Sequence, residues 1–418
     1  MKKIAFLALM AAAAAPAGAQ FGLQDMTLAG FRAAQQDVSQ PGIPLPVSVG
    51  KEKPKMGYVG KDERLDYIMR SSLWVPEGEL RTAAIDFKTG PYEKMKYAPE
   101  QVVTCSYVPM KEAYETGRPN GMSPKFKCRG ADGKTFKVKY GETGDVMAEV
   151  ASSWLLTAIG SYADRMYPVR LNCPDCPSDP FKNEGDRGAW RQGQMVAIEE
   201  KLGERIEDKP NSGISFKDFY RIEDKVGAEA LAGMAQFLGN SDNKAENQAI
   251  ACQKKDVVAG PDGKASCARP VVYLQDLGIT FGGRGLYHNS RMNFDKWARE
   301  RIWDDPRECI MHLNSVWTSS LSGTDPIGRD LHQIGEQARQ MLVRRLSMLS
   351  RSQLVDLFTA ARAPLRKPQH TAEEWADLFI RKVDQLRYPR GGKTPSGFAC
   401  PYQVVPPNSA RTDDQFGN

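Results

Sequence analysis

A chain of 418 residues, 41% of them hydrophobic, can fill one large two-lobed domain or two to three ordinary ones. Its formal charge of +6 includes Lys2 and Lys3, and its basic residues are scattered rather than striped, which argues against a nucleic-acid partner. Beyond the first twenty residues no apolar run approaches the ~20 residues that cross a bilayer, so no membrane span is expected in the mature chain.

The start reads Met1-Lys2-Lys3, an apolar run from Ile4 to Ala15, then Pro16-Ala17-Gly18-Ala19-Gln20. A positive n-region, a short h-region and small residues at the end are the parts of a cleavable signal peptide, 1–19, with the cut after Ala19. The run is too short for an anchor, and no cysteine follows it as in a lipoprotein. A leader of this bacterial style implies a periplasmic or secreted protein.

Residues 20–100 are rich in Pro, Gly and Lys and read as an N-terminal extension wrapped on the main body, with one helix around Leu65–Leu73. From 101 to 200 the pattern is that of a small β-rich lobe. Val102–Val108 and Lys125–Cys128 are strand-like and joined by a turn-rich link with Gly117, Pro119, Asn120, Gly121 and Pro124. Thr135–Tyr140 alternates with period two, placing Phe136, Val138 and Tyr140 on one face and Lys137 and Lys139 on the other. A helix follows, opened by Asp145 and closed by Gly160, with Val146, Val150, Trp154 and Thr157 along one side. Residues 195–200 form a further strand.

Residues 201–400 read as a mainly helical lobe with strand-like breaks at Gln248–Ala251 and Val271–Leu274, and 401–418 as a tail. Ser350-x-x-Gln353 with a Leu349/Leu354 staple, and Thr371-x-x-Glu374, are capping boxes that start two late helices. The basic run Arg339–Arg351 has helical spacing around Met341, Leu342, Leu346 and Leu349 and is expected to be a solvated face.

Eight cysteines in an exported chain favour disulfides. Sequence proximity suggests Cys105–Cys128, Cys173–Cys176 and Cys252–Cys267, leaving Cys309–Cys400. The competing reading of Cys173-Pro174-Asp175-Cys176 is half of a zinc site, although no second close pair stands nearby. Other chemistries are poorly served: the four histidines (His288, His312, His332, His370) form no His-Glu-x-x-His, and no Gly-x-Ser-x-Gly occurs. A lone His332 on a helix is expected to pack or face solvent. The tryptophans, among them Trp154, Trp297, Trp317 and Trp375, fall on apolar faces and are expected in the core.

The informative segment is Asn240-Ser241-Asp242-Asn243-Lys244-Ala245-Glu246-Asn247. Against the protein-kinase catalytic loop His-Arg-Asp-Leu-Lys-Pro-Glu-Asn it matches at Asp, Lys, Glu and Asn with identical spacing. Val271–Leu274 then leads into Gln275-Asp276-Leu277-Gly278, where kinases end a strand in Asp-Phe-Gly. Upstream, Lys139 on a strand precedes Glu149 in the next helix, again in kinase order. Roughly residues 101–280 therefore resemble the protein-kinase-like superfamily, and the link Gly117–Pro124 followed by Lys125-Phe126 is more similar to the HipA-type kinases.

The resemblance implies an α+β, two-lobed kinase-like fold, braced by disulfides, that binds Mg²⁺ and ATP or another nucleotide. Lys139 would hold the α/β-phosphates and Glu149 would fix that lysine. Asp242 would accept a proton from the substrate hydroxyl, and Lys244 would reach the transferred phosphate. Asn247 and Asp276 would offer hard oxygen ligands to the metal. Backbone N–H groups around Gly121 and Ser123 would cover the phosphates. Taken singly, each motif has a plainer explanation: a surface turn, a solvated strand lysine, a helix-surface glutamate. Their order makes the pattern. Departures are Asn240-Ser241 in place of His-Arg, no Gly-x-Gly-x-x-Gly, no Ala-Pro-Glu, and a long interval between Asn247 and Asp276. That interval holds Cys252, the turn Gly260–Gly263 and Cys267, read as a disulfide-clipped hairpin. The expected function is an exported kinase-like phosphotransferase with an unknown acceptor. The alternative is a catalytically inactive kinase-fold binding or scaffold protein with a partner in the bacterial envelope.

Overall fold

The segment after residue 55 is held less by its own helix than by what it lies against. In the computed structural model, α1 (Lys61–Met69) ends sooner than its sequence suggests, because the backbone turns extended so that Ser72 can bridge Val271 and Leu73 can be fully buried. Trp74 Nε1 then donates to the Gly227 carbonyl at 2.8 Å, Val75 N to Gly160 O at 2.7 Å, and Phe87 stacks on Trp154. The structure describes residues 55–401 other than 118, 120, 122, 142, 260–263, 283–291, 314–318, 326–327 and 390–398, and all of these belong to one unit. The signal peptide, the first part of the extension, the Gly260–Gly263 turn, His288, Trp317 and the tail after 401 lie outside the described residues.

Five strands close into a barrel in the order β1-β2-β3-β5-β4: β1 (Val102–Val108), β2 (Lys125–Gly130), β3 (Thr135–Tyr140), β4 (Arg165–Asn172) and β5 (Gln194–Glu200). All neighbours are antiparallel except β1 and β4. The short α2 (Met110–Ala113) follows β1. Strand β4, which carries Pro168 in its middle, has no counterpart in the sequence reading. Its pairing with β1 begins only at Arg170, so the missing N–H removes no ladder bond on that side. Phe126, Val138, Tyr140, Val196 and Ile198 fill the barrel, with Phe126 and Tyr140 packed edge-on to Trp190.

Between β3 and β4 runs α3 (Gly144–Ala158), ended by Gly160 at φ +78°. Every residue of α3 except Thr157 is buried. The expectation of one apolar side thus understates its burial, because the barrel covers one side while the segment from 74 to 87 and later helices cover others.

The chain then forms β6 (Glu204–Arg205), α4 (Lys225–Phe237), β7 (Gln248–Cys252), the hairpin β8 (Val257–Ala259) and β9 (Ala265–Cys267), and β10 (Pro270–Leu274). Strands β10, β7 and β6 make an antiparallel sheet in that order. After α5 (Phe294–Arg299) and the small pair β11 (Trp303–Asp305) and β12 (Ile310–Met311) come α6 (Glu336–Ser347), α7 (Arg351–Ala360) and α8 (Ala372–Arg387). Both expected capping boxes are formed, at Ser350/Gln353 and Thr371/Glu374. Phe237, Phe281, Trp297, Phe358, Trp375 and Phe379 interlock between these helices.

The basic run on α6 departs from expectation. Arg345 is 2% exposed, lies over Trp74, and donates to Ile159 O and Val75 O at 2.8 Å each. Arg339 is also buried, paired with Glu336 at 2.5 Å. Arg339 also donates to Leu386 O and Arg387 O at the end of α8, so both guanidiniums satisfy main-chain carbonyls rather than facing solvent. His332 lies in a turn before α6, not on a helix, with Nδ1 2.8 Å from Met311 O.

All eight cysteines pair as proximity suggests, with Cα–Cα distances of 5.3–5.8 Å. Cys173 and Cys176 bond to each other, which removes both thiolates from any zinc site. Four disulfides fit an oxidising, extracytoplasmic compartment. Among the described residues no helix is long and apolar enough to cross a membrane.

Candidate active site

The lysine face of β3, expected to be one polar face of a strand, is turned into protein. Lys139 is 4% exposed and forms an ion pair with Glu149 on the second turn of α3, itself 4% exposed. Its ammonium also lies 3.1 Å from Glu199 on β5 and 3.7 Å from Asp276, just past β10. The plainer reading of both residues, a solvated strand lysine and a helix-surface glutamate, is therefore wrong.

Three carboxylates compete for this one ammonium, and their surroundings rank them. Burial disfavours a charged Lys139, yet Glu149, Glu199 and Asp276 together raise its pKa well above the ordinary lysine value. Burial also opposes ionisation of Glu199, but Lys139, Lys137 and Lys201 hold it well below the usual carboxylate range. For Glu149 burial, aided by the nearby Asp276 and Glu199 carboxylates, outweighs its pairing with Lys139 and pushes the carboxyl up to about 7. Partial desolvation raises Asp276, but Lys139, Lys125 and Lys137 outweigh it and lower its pKa. Lys125, opposite Lys139 in the β2–β3 register, is brought down to about 8 by burial and by those neighbouring lysines.

Asp276 has φ +52°, a left-handed backbone that Asp and Asn tolerate best among residues with a Cβ. Its side chain stays 49% exposed, so a strained residue presents a carboxylate to solvent beside a buried ammonium. Antiparallel pairing of Leu274 with Gln248 sets the next residues alongside, and Gln275 N donates to Asn247 O at 2.9 Å. The candidate metal ligands Asn247 and Asp276 thus sit at neighbouring strand ends. Asn247 Nδ2 in turn donates to the Asp242 carbonyl at 2.6 Å, folding the loop 240–247 back on itself. Lys244 Nζ is 3.6 Å from Asp242 Oδ1.

That loop is tied at several points. Asn243 Nδ2 donates to Asn240 O at 2.7 Å, Ser320 Oγ to Asn243 O at 2.6 Å, and Ser241 N to Ile279 O at 3.3 Å. Gly213 passes so close that a Cβ there would lie 1.8 Å from the Ala245 carbonyl oxygen, which only glycine allows. Gly121, at φ +80°, comes near Lys125: a Cβ would stand 3.1 Å from its Nζ. Ser123 Oγ donates to Asp145 Oδ2 at 2.9 Å, fastening this link to the first turn of α3, against which Gly278 also packs.

Lys139, Glu149 and Asp276 therefore meet directly, Asn247 and Asp242 join them through backbone bonds, and Gly121 and Ser123 border Lys125 and α3. The sequence reading gave no site role to Glu199, Lys201 or Asp164, nor to Lys137 and Lys125, which it placed on strands. A signal existed in Glu199-Glu200-Lys201 closing a strand, since a buried lysine face needs acidic partners across the sheet. Two open surface depressions lie elsewhere. One is lined by Lys111, Phe181, Asn183 and Arg187 among others, the second by Lys296, Arg299, Glu300, Arg301 and His312. Neither includes a residue of the charge cluster, which is the candidate site.

No protein-family model matches the chain, and no curated protein matches it. Among solved structures the chain is similar to a proinflammatory kinase of Helicobacter pylori, CtkA, at 12% identity and a TM-score of 0.38, over 69% of this chain and 95% of that one. A likeness of that size does not establish a shared activity.

Proposed function

We propose that the chain is an exported, kinase-like phosphotransferase that moves a nucleotide phosphoryl group to an acceptor hydroxyl, with the barrel and the helical part as its two lobes. The observation that carries this reading is the buried Lys139–Glu149 pair with Asp276 3.7 Å from the same ammonium. Phosphoryl transfer asks a protein mainly for positioning and for charge opposite the phosphates. In this reading Lys139 grips the α/β-phosphates, Glu149 steadies it, and backbone N–H groups around Gly121 and Ser123 cover them. Asp242 orients the acceptor hydroxyl and takes its proton, and Lys244 reaches the transferred group.

The donor set suits a hard divalent cation. Asn247 and Asp276 bring oxygens to adjacent strand ends, and Asp276 is half exposed and held ionised by lysines. Mg²⁺ bound there with ATP would neutralise phosphate charge. The protein's own residues hold the phosphates, orient the acceptor and accept the proton.

A second reading, a catalytically inactive scaffold of the bacterial envelope, is favoured by Asn240-Ser241 standing where kinases carry His-Arg. A thermal melt of the oxidised chain with and without Mg-ATP, beside Asp276→Asn, separates binding from its absence. Ligand at ~100 times its dissociation constant adds ~2.7 kcal/mol of stability to the parent. A shift in the parent and none in the variant supports the site. No shift with any nucleotide rejects it and leaves the scaffold reading.

A further inference from the structure

Glu199 is a buried carboxylate in contact with three lysines, and the reading above gives it no role. Its side chain is 4% exposed, with oxygens 2.6 Å from Lys137, 3.1 Å from Lys139 and 2.9 Å from Lys201. It stands on β5 in the closed barrel, where Lys137 is its register partner on β3. Glu149, by contrast, reaches Lys139 from a helix.

The contacts of Glu199 continue to the other side of the site without passing through α3. Lys201 binds Asp164 Oδ2 at 2.7 Å, and Asp164 Oδ1 accepts from Leu202 N at 3.0 Å. Ala163, the residue before Asp164, bridges Leu274, two residues short of Asp276. Asp276 faces Lys139 and closes the ring. Within the phosphotransfer reading, on which this inference rests, we propose that Glu199 is the positioning residue that fixes Lys139 opposite Asp276, and that Glu149 is the secondary anchor. The physical reason is the number of partners. Glu199 is held on its barrel strand by Lys137 and Lys201 as well as Lys139, so its place does not depend on Lys139, whereas the ion pair of Glu149 is with Lys139 itself.

Two readouts on the full oxidised chain test this. The first is acylation of Lys139 by acetic anhydride at one fixed pH, measured by peptide mass spectrometry against Lys88, whose side chain is 73% exposed. Glu199→Gln should raise relative labelling of Lys139 by about tenfold, Glu149→Gln by less, and Glu199→Asp should restore most of the protection. The second is calorimetric titration with Mg-ATP, in which Glu199→Gln should weaken binding by about tenfold and more than Glu149→Gln does. If Glu199→Gln does not fold, Lys137→Met/Glu199→Gln compared with Lys137→Met gives the same reading, because one cation leaves with the anion. A parent that binds no nucleotide sinks the phosphotransfer reading and leaves the labelling to decide the anchor. Unchanged labelling in Glu199→Gln, or greater labelling in Glu149→Gln, overturns the assignment of Glu199.

Discussion

Lys139 Nζ lies 3.7 Å from Asp276 Oδ1, although one stands on a barrel strand and the other follows a strand of a different sheet. The choice of substitution at Asp276 matters because its φ is +52°. Alanine there adds backbone strain of about 1 kcal/mol that asparagine largely avoids. Urea unfolding without ligand should therefore rank Asp276→Asn above Asp276→Ala, while both lose the Mg-ATP response. An Asn variant that responds like the parent would remove Asp276 from the site.

Gly213→Ala should disturb the loop 240–247 without touching any of its side chains. The new Cβ would meet the Ala245 carbonyl oxygen at 1.8 Å, and neither backbone can give way cheaply: Arg64 holds Gly213 O at 2.6 Å, and Ile214 N donates to Gln248 O at 2.9 Å. The expected outcome is a loss of at least about 2 kcal/mol in urea unfolding. Backbone NMR shifts should change at Asn243–Asn247 more than at the barrel. Shifts confined to Gly213 would mean the loop is not held there.

What could be read in advance followed from local chemistry. The capping boxes at Ser350 and Thr371 and the glycine stop at Gly160 depend on neighbours a few residues away, and the structure forms them as written. The cysteine pairs followed from proximity. What escaped depends on partners distant in sequence. Strand β4 went unread, and it tolerates Pro168 because the β1 ladder starts beyond it at Arg170. The lysine face of β3 looked solvated because its partners Glu149, Glu199 and Asp276 come from three other elements. Arg345 looked like a surface charge because the carbonyls it caps belong to residues 75 and 159. At the candidate site the order of motifs and the pairing of Lys139 with Glu149 were legible, while Glu199 and its other lysine partners were not.

Arg345 should not tolerate lysine. Its guanidinium reaches two carbonyls at 2.8 Å in different segments and stacks over Trp74 at 5.0 Å, a fork that an ammonium cannot copy. Arg345→Lys is expected to cost about 1.5–3 kcal/mol, and Arg345→Met somewhat more, since buried carbonyls then lose their donor. Limited proteolysis should cut near residues 76–84 sooner in both variants. An unchanged proteolysis pattern would show that the segment is held elsewhere.

The disulfides should differ in worth according to the loops they close. Cys309–Cys400 spans 91 residues and anchors the end of the described chain, where Cys400 N donates to Glu336 Oε2 at 2.9 Å. Cys173–Cys176 spans 3. In the chain-entropy picture, closing a loop near 100 residues contributes about 4–5 kcal/mol, so Cys309→Ala/Cys400→Ala should lower stability far more than Cys173→Ala/Cys176→Ala. Equal losses from the two double variants would point to strain or local packing as the controlling factor instead.

Lys382 gives a pH dependence separate from the site. It is 1% exposed, its ammonium donates to the Glu300 carbonyl, and burial brings its pKa from 10.5 down to about 8. Between those two values the unfolded chain holds a proton that the folded chain has released. Unfolding then takes up a proton, and this group makes stability rise with pH across that window. Below pH 8 both states carry the charge, and the penalty for burying it is constant. The full swing is at most about 3 kcal/mol. Buried tyrosines with raised pKa values, Tyr273 among them, also titrate in alkali, so the quantity to measure is the difference from Lys382→Met. Urea midpoints from pH 7.5 to 10 should climb more steeply, or fall less, in the parent than in the Met variant. Parallel curves would mean that Lys382 keeps its proton in the folded state.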